Sequence, residues 1–337
     1  MKLPLVILLA FFSFSVRFGF TQTTGYCPTS AVFLALGDEV RGYSARANGS
    51  TEPCQILHGG QTTFFTARAI SISGHDYLHV AQFLTDGTIN LFPPYSYGNV
   101  APSRTVSTYT NDLIAIATNS NTTDFILSNR ARPSEIVVVP DQATTPVGSF
   151  YLTQLQSAWS LAIDATNNLL VGGYDANGVA TVDTYNTSIN RTAPLRVRRL
   201  QGDATGLLPG DPEAYAGNTI AIALDPVTQE LYVYNTDADS STIQVSVFPA
   251  RANGNVAPTR VIHGPATQIG VPGFLGTGKI AVSSDGRLFD AEPNNRILVF
   301  APGASGDVAP SQIIQDSTIG STQVGQGGIA VRSCDCE

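Results

Sequence analysis

Short apolar runs recur along the chain at a nearly constant spacing. Six of them are rich in β-branched residues and lie at 69–72, 113–116, 161–163, 220–222, 280–282 and 329–331. From Ile72 to Val331 there are 259 residues in five steps, or about 52 residues per step. Apolar runs of this length, bounded by Gly and Asn, are typical of buried strands. The pattern predicts a repeat protein in which each unit contributes one such strand.

A phrase of turn-forming residues repeats between these runs. Residues 98–102 and 254–258 both read GNVAP, and residues 306–310 read GDVAP. The prolines of the phrase, with those of weaker copies, fall at Pro53, Pro102, Pro194, Pro258 and Pro310, so that the differences are 49, 92, 64 and 52. The gap of 92 predicts one degenerate copy near Pro146, and both landmarks then count six units.

Each unit has room for four strands. In the fifth unit we expect them at 220–224, 231–234, 243–248 and 259–262, separated by turns that contain Pro, Gly, Asp and Asn. Strong helix signals are absent from the sequence. Four strands per unit and six units predict an all-β fold, a six-bladed β-propeller of four-stranded antiparallel blades.

The two ends of the chain complement each other. Residues 329–331 resemble a first strand with no blade after it, whereas 31–36, 39–43 and 55–57 resemble three strands with no first strand before them. Together they would complete one blade. The sequence therefore predicts a ring closed by the C-terminal strand joining the N-terminal blade, with residues 24–337 as a single domain.

The first residues have the features of an export signal. Met1 and Lys2 precede an apolar run from Leu3 to Val16, which at fourteen residues is short for a membrane span and suits a signal peptide. We place the signal peptide at 1–23. The mature chain is then expected to be secreted, periplasmic or extracellular, without a membrane span.

Four cysteines fit an exported chain, and all lie near its ends: Cys27, Cys54, Cys334 and Cys336. Three pairings are possible. A bond between Cys334 and Cys336 would be strained, so we expect bonds between the N-terminal segment and the C-terminal tail. Such bonds would clamp the closure of the ring.

Charge argues against one class of partner. Only 13% of residues are charged, and the formal net charge is −8. Nucleic acid favours a concentrated basic face, so we expect no nucleic-acid partner. We expect a monomer.

Residues 278–300 resemble the NHL repeat, whose pattern G-x-A-V-D, G-x-x-Y-V-A-D and N-x-R-I-x-V-F they follow in part. Asp290 departs from that pattern, which usually has an apolar residue there. The resemblance implies a six-bladed propeller. It leaves function open, because NHL-like propellers include scaffolds, RNA-binding modules and an amidating lyase, and their neighbours include gluconolactonase-like metal hydrolases.

The gluconolactonase resemblance implies a divalent cation in the central channel, held by side chains that precede the first strand of several blades. Only Asp112 offers a carboxylate at those positions, and Asn218 offers a carbonyl oxygen. A calcium-dependent hydrolase or lactonase acting there is therefore the alternative function. Asp237 and Asp239 form a second weak metal candidate, for which an Asx-rich turn is the simpler interpretation.

The histidines give no convincing metal site. His58 and His263 occupy the same place in two units, which indicates strand-end residues. His75 and His79 have ligand-like spacing only on a helix, and we expect a strand turn there. We predict neither a cofactor nor a catalytic residue.

The leading hypothesis is a non-catalytic binding or scaffolding module. Loops between blades and loops joining second to third strands share one face of a propeller, and here these loops are long and carry aromatic and polar residues. We expect that face to bind a protein or a carbohydrate through Trp159, Tyr215, Asn218, Asp112, Phe274 and Arg130.

Overall fold

The computed structural model describes residues 25–28, 30–82, 87–129, 133–188, 192–211, 220–239, 241–270, 279–292, 296–318 and 328–333. These residues form six sheets, each with four consecutive antiparallel strands. The innermost strands contact one another in a closed cycle, so the sheets are the blades of a ring. The predicted all-β, six-bladed propeller is confirmed.

The strands are numbered in chain order. Blade 1 contains β1 (Ala31–Ala35), β2 (Glu39–Ser44), β4 (Gln55–His58) and β25 (Ile329–Arg332). Blade 2 contains β5 (Ala67–Ile72), β6 (Leu78–Gln82), β7 (Thr88–Phe92) and β8 (Arg104–Ser107). Blade 3 contains β9 (Leu113–Thr118), β10 (Asp124–Ser128), β11 (Glu135–Val139) and β12 (Gly148–Tyr151).

The second half of the ring follows the same plan. Blade 4 contains β13 (Ser157–Ile163), β14 (Asn168–Tyr174), β15 (Ala180–Asn186) and β16 (Leu195–Leu200). Blade 5 contains β17 (Ile220–Leu224), β18 (Leu231–Thr236), β19 (Ile243–Phe248) and β20 (Arg260–Ile262). Blade 6 contains β21 (Lys279–Val282), β22 (Leu288–Glu292), β23 (Arg296–Phe300) and β24 (Gln312–Gln315), and the two-residue β3 (Gly49–Ser50) is added at its edge.

Successive connections alternate between the two ends of each blade. Connections between blades and between second and third strands share one end, which we call the loop face. The first-to-second and third-to-fourth connections share the other end, the turn face. Single turns of 3-10 helix follow the outer strands of blades 1, 4 and 5 at Gly60–Thr62, Asp203–Thr205 and Pro265–Thr267.

The ring closes as the sequence predicts. β25 pairs antiparallel with β1, and Val331 lies opposite Val32. Side chains of β1 then alternate between the two neighbouring blades. Phe33 packs with the core shared with blade 2, and Val32 with the core shared with blade 6. Both ends of the chain are thereby built into one hydrophobic interior.

The expected pairing of the cysteines between the two ends is wrong for the N-terminal pair. Cys27 and Cys54 form a disulfide with each other, with their Cα atoms 4.8 Å apart. Residues 25–28 run back beside blade 1, where Gly25 donates its N–H to the carbonyl of Cys54 at 3.2 Å. That places the two cysteines within the distance that a disulfide requires. Cys334 and Cys336 lie outside the described residues.

A buried arginine of the C-terminal strand contacts the N-terminal segment at the closure of the ring. Arg332, the last residue of β25, is 3% exposed, and its Nη2 donates to the carbonyls of Cys27 (3.3 Å) and Pro28 (3.1 Å). Its guanidinium lies 5.2 Å from the ring centroid of Phe33 and 4.8 Å from that of Tyr95. Hydrogen bonds and cation–π contacts of this kind stabilise a desolvated guanidinium.

The repeated phrase joins each blade to the one before it. Gly254 has a left-handed φ of 76°, and its N–H donates to the carbonyl of Arg199 at 2.7 Å, while its own carbonyl accepts the N–H of Gln201 at 3.2 Å. The result is a parallel bridge from blade 5 to the outer strand of blade 4. Gly98 and Gly306 make the same bridge onto blades 1 and 5, and Gly49 in β3 makes it onto blade 6. We call these four contacts the inter-blade bridges.

The residue after the bridging glycine adds a second contact. Asn255 Oδ1 accepts the N–H of Ala204 at 2.7 Å, at the start of the 3-10 helix that follows the outer strand of blade 4. Gly202 precedes that helix with φ 124° and ψ 167°, a region that essentially only glycine adopts. A Cβ at Gly202 would lie 2.6 Å from the Asn255 side chain. Asn99 and Asp307 occupy the corresponding place at two further interfaces.

Alanine at Gly202 is expected to destabilise the fold by about 2–3 kcal/mol, because it combines a strained backbone with a clash against Asn255. Gly206 of the same turn is a matched control, since its φ is 62° and there is open space around it. Gly206→Ala should cost about 1 kcal/mol. Urea unfolding of both variants measures the difference, and equal losses would contradict a role for Gly202 in the contact between blades.

Candidate functional site

The axis of the ring is a narrow channel with an apolar wall. A cavity of about 60 Å³ lies between the innermost strands and is lined by Ala69, Ile70, Ile114, Ala115, Ile116, Ser160, Leu161, Ala221, Ile222, Ile280, Gly328 and Ile329. Ser160 is the one polar side chain of this lining, and its hydroxyl accepts the N–H of Ile222 at 3.0 Å. Calcium requires several oxygen ligands, whereas this wall offers mainly hydrocarbon.

Asp112, the carboxylate of the calcium alternative, lies directly before β9 and outside the lining of this cavity. Its backbone is left-handed, with φ 56°, and its carbonyl accepts the N–H of Asn129 at 3.2 Å. Asp112 therefore shapes the connection between blades 2 and 3. Asn218, the second ligand expected there, lies outside the described residues.

The other weak metal candidates serve their own loop. Asp237 accepts the N–H of Thr242 at 3.1 Å and the hydroxyl of Ser241 at 2.9 Å, and Asp239 accepts the N–H of Ser241 at 2.9 Å. This is the hydrogen bonding of an Asx-rich turn. In the part of the chain that the structure describes, no three His, Cys, Asp or Glu side chains are grouped so as to hold a metal.

Trp159 lies in the innermost strand β13 and not on a loop. It is 7% exposed, and the register between β13 and β14 shifts between Ala158 and Ser160. Its indole belongs to a core cluster, and its Nε1 has no hydrogen-bond partner. Tyr215, Phe274 and Arg130 lie outside the described residues.

Two aromatic side chains are exposed on the loop face of blades 2 and 3. Phe65, on the connection into β5, is 74% exposed, and Tyr109, on the connection into β9, is 71% exposed. Gln82 Oε1 accepts the backbone N–H of Phe65 at 2.9 Å. Tyr109 has a left-handed φ of 56°, and its neighbour Thr108 donates its hydroxyl to the carbonyl of Gly87 at 2.7 Å. Both rings are thus held outward by ordered connections.

A groove of about 540 Å³ begins beside Tyr109. It is lined by Thr108, Tyr109, Thr110, Glu135, Val137, Pro146, Val147, Gly148, Ser149 and Tyr151. Val147 and Tyr151 in this wall are 59% and 53% exposed. The groove thus combines exposed apolar and aromatic surface with the polar side chains of Thr108, Thr110, Glu135 and Ser149, as recognition surfaces commonly do.

The groove lies where blade 3 lacks an inter-blade bridge. The third-to-fourth connections of blades 3 and 5 begin with the same turn, closed at Ala143 and at Ala252. After this turn blade 3 has three residues, 144–146, where blade 5 has six, 253–258. The residue that follows makes the same hydrogen bond in both blades. The N–H of Val147 donates to the carbonyl of Val138, and the N–H of Thr259 donates to the carbonyl of Val247. The shorter loop omits the bridging glycine and its Asn. The degenerate phrase near Pro146 is the signal for this shorter loop in the sequence. The groove with Val147 and Tyr151 that results from it was not predicted.

Asp290, the departure from the NHL pattern, forms a buried acidic pair with Glu292 between blades 5 and 6. Both side chains are at most 1% exposed, and neither oxygen of Asp290 has a hydrogen-bond partner. Glu292 Oε1 accepts the N–H of Gly270 at 2.9 Å. Burial raises the pKa of Asp290 well above its usual value, and the neighbouring Glu292 raises it further. Burial also raises the pKa of Glu292.

Comparisons with known proteins support the fold alone. No protein-family model matches the chain, and no curated protein matches it. Similar solved structures include hydrazine synthase of Kuenenia stuttgartiensis, with a TM-score of 0.55 and 12% identity, covering 84% of this chain and 79% of that chain. They also include the WD40 β-propeller domain of Doa1, with a TM-score of 0.51 and 11% identity, covering 90% of this chain and 88% of that chain. A protein of unknown function from Bacteroides caccae is similar with a TM-score of 0.57 and 9% identity, covering 90% of this chain and 98% of that chain. The NHL-repeat family is not confirmed.

The Asp290→Asn variant is expected to gain stability relative to the wild type as pH rises. A carboxyl whose pKa is raised by folding contributes fully below its unfolded pKa of about 4, and that contribution is lost as pH rises through the folded value. Asparagine keeps the shape without the charge. Urea unfolding between about pH 4 and pH 7 measures the effect, with the exposed Asp203→Asn as control. If the free energies of unfolding of the wild type and the Asp290→Asn variant changed equally with pH, the raised pKa of Asp290 would be contradicted.

Proposed function

We propose that the chain is an exported, non-catalytic binding propeller whose loop-face edge between blades 2 and 3 recognises a protein partner. The proposal rests on one observation, the groove of about 540 Å³ in which Tyr109, Val147 and Tyr151 are exposed together. Aromatic side chains at a concave surface are the commonest source of binding energy between proteins.

The missing inter-blade bridge favours a protein over a carbohydrate. At four other interfaces an extended segment adds in parallel to an outer strand, and a partner's extended segment could use the same mode at this one.

The channel supports binding over catalysis at the axis. In the described part of the chain, the lining of the axial cavity has no titratable side chain, and its one polar side chain, Ser160, is hydrogen-bonded to the backbone of Ile222. The predicted ligand-binding residue Trp159 lies in the core and contributes to folding. The recognition surface proposed here uses Tyr109 and Tyr151 in its place.

Export is supported by two observations. The disulfide between Cys27 and Cys54 is of a kind that persists in oxidising compartments. The N-terminal residues 1–23 have the composition of a signal peptide, although they lie outside the described residues. Among the described residues, none belongs to a helix with the length and apolar character needed to cross a bilayer.

Replacing both Tyr109 and Tyr151 with alanine is expected to weaken partner binding at least about thirtyfold. Two aromatic side chains that a partner buries on binding together contribute more than about 2 kcal/mol to the binding free energy. The full chain would be used to capture extracellular proteins of the native host and, separately, to probe a glycan array. Tyr97→Ala is the matched control, since Tyr97 is 40% exposed on the turn face.

A protein retained by wild type and the Tyr97→Ala variant but lost from the double variant supports the proposal. Equal recovery of every captured protein by the double variant would refute the groove as the site. Binding to glycans that the double variant loses would show that the partner is a carbohydrate and not a protein.

A further inference from the structure

A buried polar pair joins blades 2 and 3 near the turn face. Nδ1 of His79 on β6 lies 2.9 Å from Oδ2 of Asp124 on β10, and the side chains are 2% and 0% exposed. Asp124 Oδ1 accepts the hydroxyl of Thr118 at 2.7 Å. Because the carboxylate is the acceptor, the ring hydrogen lies on Nδ1, and Nε2 faces away from Asp124.

The strand registers show that this pair is unusual within the ring. In each of the other five interfaces, apolar or aromatic side chains occupy the positions that His79 and Asp124 occupy here. In that order the pairs are Phe33 with Leu78, Phe125 with Leu169, Leu170 with Leu231, Tyr232 with Leu288, and Phe289 with Val32. Each of these pairs shares one hydrophobic cluster. Replacing a buried polar or charged pair by a well-packed hydrophobic pair is often neutral or stabilising. Packing alone therefore does not account for His79 and Asp124.

The pair borders a cavity of about 460 Å³ between the turns of blades 2 and 3. Its lining consists of Ser73, His75, Tyr77, His79, Leu91, Ser103, Arg104, Thr122, Asp141 and Gln142. The volume is within the range of small-molecule sites. The lining belongs to the turn face, and it shares no residue with the lining of the groove beside Tyr109, so the two are separate.

Two further polar groups of the lining are buried without a hydrogen-bond partner. Ser73 is 4% exposed, and its Oγ bonds to nothing. Nη1 of Arg104 likewise has no hydrogen bond, and its carboxylate neighbour Asp141 is 3.9 Å away. Because an unpaired buried donor costs free energy, such groups in one cavity point to a ligand.

Corresponding arginines elsewhere show what Arg104 lacks. Arg260 donates to both oxygens of Glu230 at 2.9 Å, and Arg198 lies 3.1 Å from Asp164. In blade 2 the residue that corresponds to Asp164 is Ser73, which cannot neutralise a guanidinium. Arg104 thus has a serine hydroxyl at the position where Arg198 has a carboxylate, and its contact with Asp141 is longer, at 3.9 Å.

We propose that this cavity binds a small molecule with one carboxylate and an adjacent hydroxyl. The guanidinium of Arg104 and the hydroxyl of Ser73 would donate to the carboxylate, and Nε2 of His79 would accept from the ligand hydroxyl. The carboxylate of Asp141 at the rim repels a second negative charge on the ligand. Burial acts to raise the pKa of Asp141, but hydrogen bonds from Thr122 and Gln142 outweigh it and hold that pKa below its usual value. The site therefore favours a monoanion over a phosphate dianion.

The arrangement indicates binding without covalent chemistry. Ser73 Oγ makes no hydrogen bond to His79, so the serine is not paired with the base that would activate it. Asp124 holds the imidazole in one orientation and acts as a positioning residue.

Calorimetric titration of the full chain with lactate and with gluconate tests the proposal, with glucose and inorganic phosphate as matched probes. We expect saturable binding of a carboxylate that weakens at least about tenfold in Arg104→Ala. Arg260→Ala, at the corresponding position of blade 5, should bind as the wild type does. No binding of either carboxylate at about 10 mM, or equal binding of glucose or phosphate, would overturn the proposal.

A second variant separates binding from folding. His79→Phe with Asp124→Leu copies the pair Phe125 and Leu169 of the next interface, so it should fold with a Tm at least equal to that of the wild type and lose the carboxylate. Retained binding in this variant would overturn the role of His79. A lower Tm would show that the polar pair exists for stability.

Discussion

The structure depends on how each blade is attached to the blade before it. Four described interfaces share one device, in which a left-handed glycine bridges to a neighbouring outer strand and the next residue adds a side-chain contact at three of them. The bridge satisfies backbone groups at an edge that would otherwise be open to another chain. It also fixes the angle between blades, so that side chains such as Phe33 and Leu78 meet in a shared core.

Function is proposed where this regular scheme is interrupted. The interface between blades 2 and 3 has no bridge in the described residues, because residues 144–146 are too few to form one. It is also the interface that replaces an apolar pair with His79 and Asp124. One irregular interface thus provides a groove beside Tyr109 and a separate polar cavity on the turn face.

The repeat made the architecture predictable. Periodic runs such as 220–222 encode buried strands, and the unmatched run 329–331 identified the closing strand. Contacts between distant segments could not be predicted in this way. The sequence predicts the strand turn before His79, but it does not predict the contact with Asp124, which lies 45 positions away in the next blade. The disulfide partner of Cys27 likewise depends on how residues 25–28 fold back.

The central claim is that the two ends of the chain form one blade and so close the ring. Hydrogen exchange measured by mass spectrometry tests it most directly, because amides in a closed sheet exchange only when the sheet opens. The account predicts that residues 329–332 of β25 are protected as strongly as residues 31–35 of β1, and that both lose protection in the same unfolding event. Exchange of residues 329–332 at the rate of unstructured amides, with β1 still protected, would contradict it.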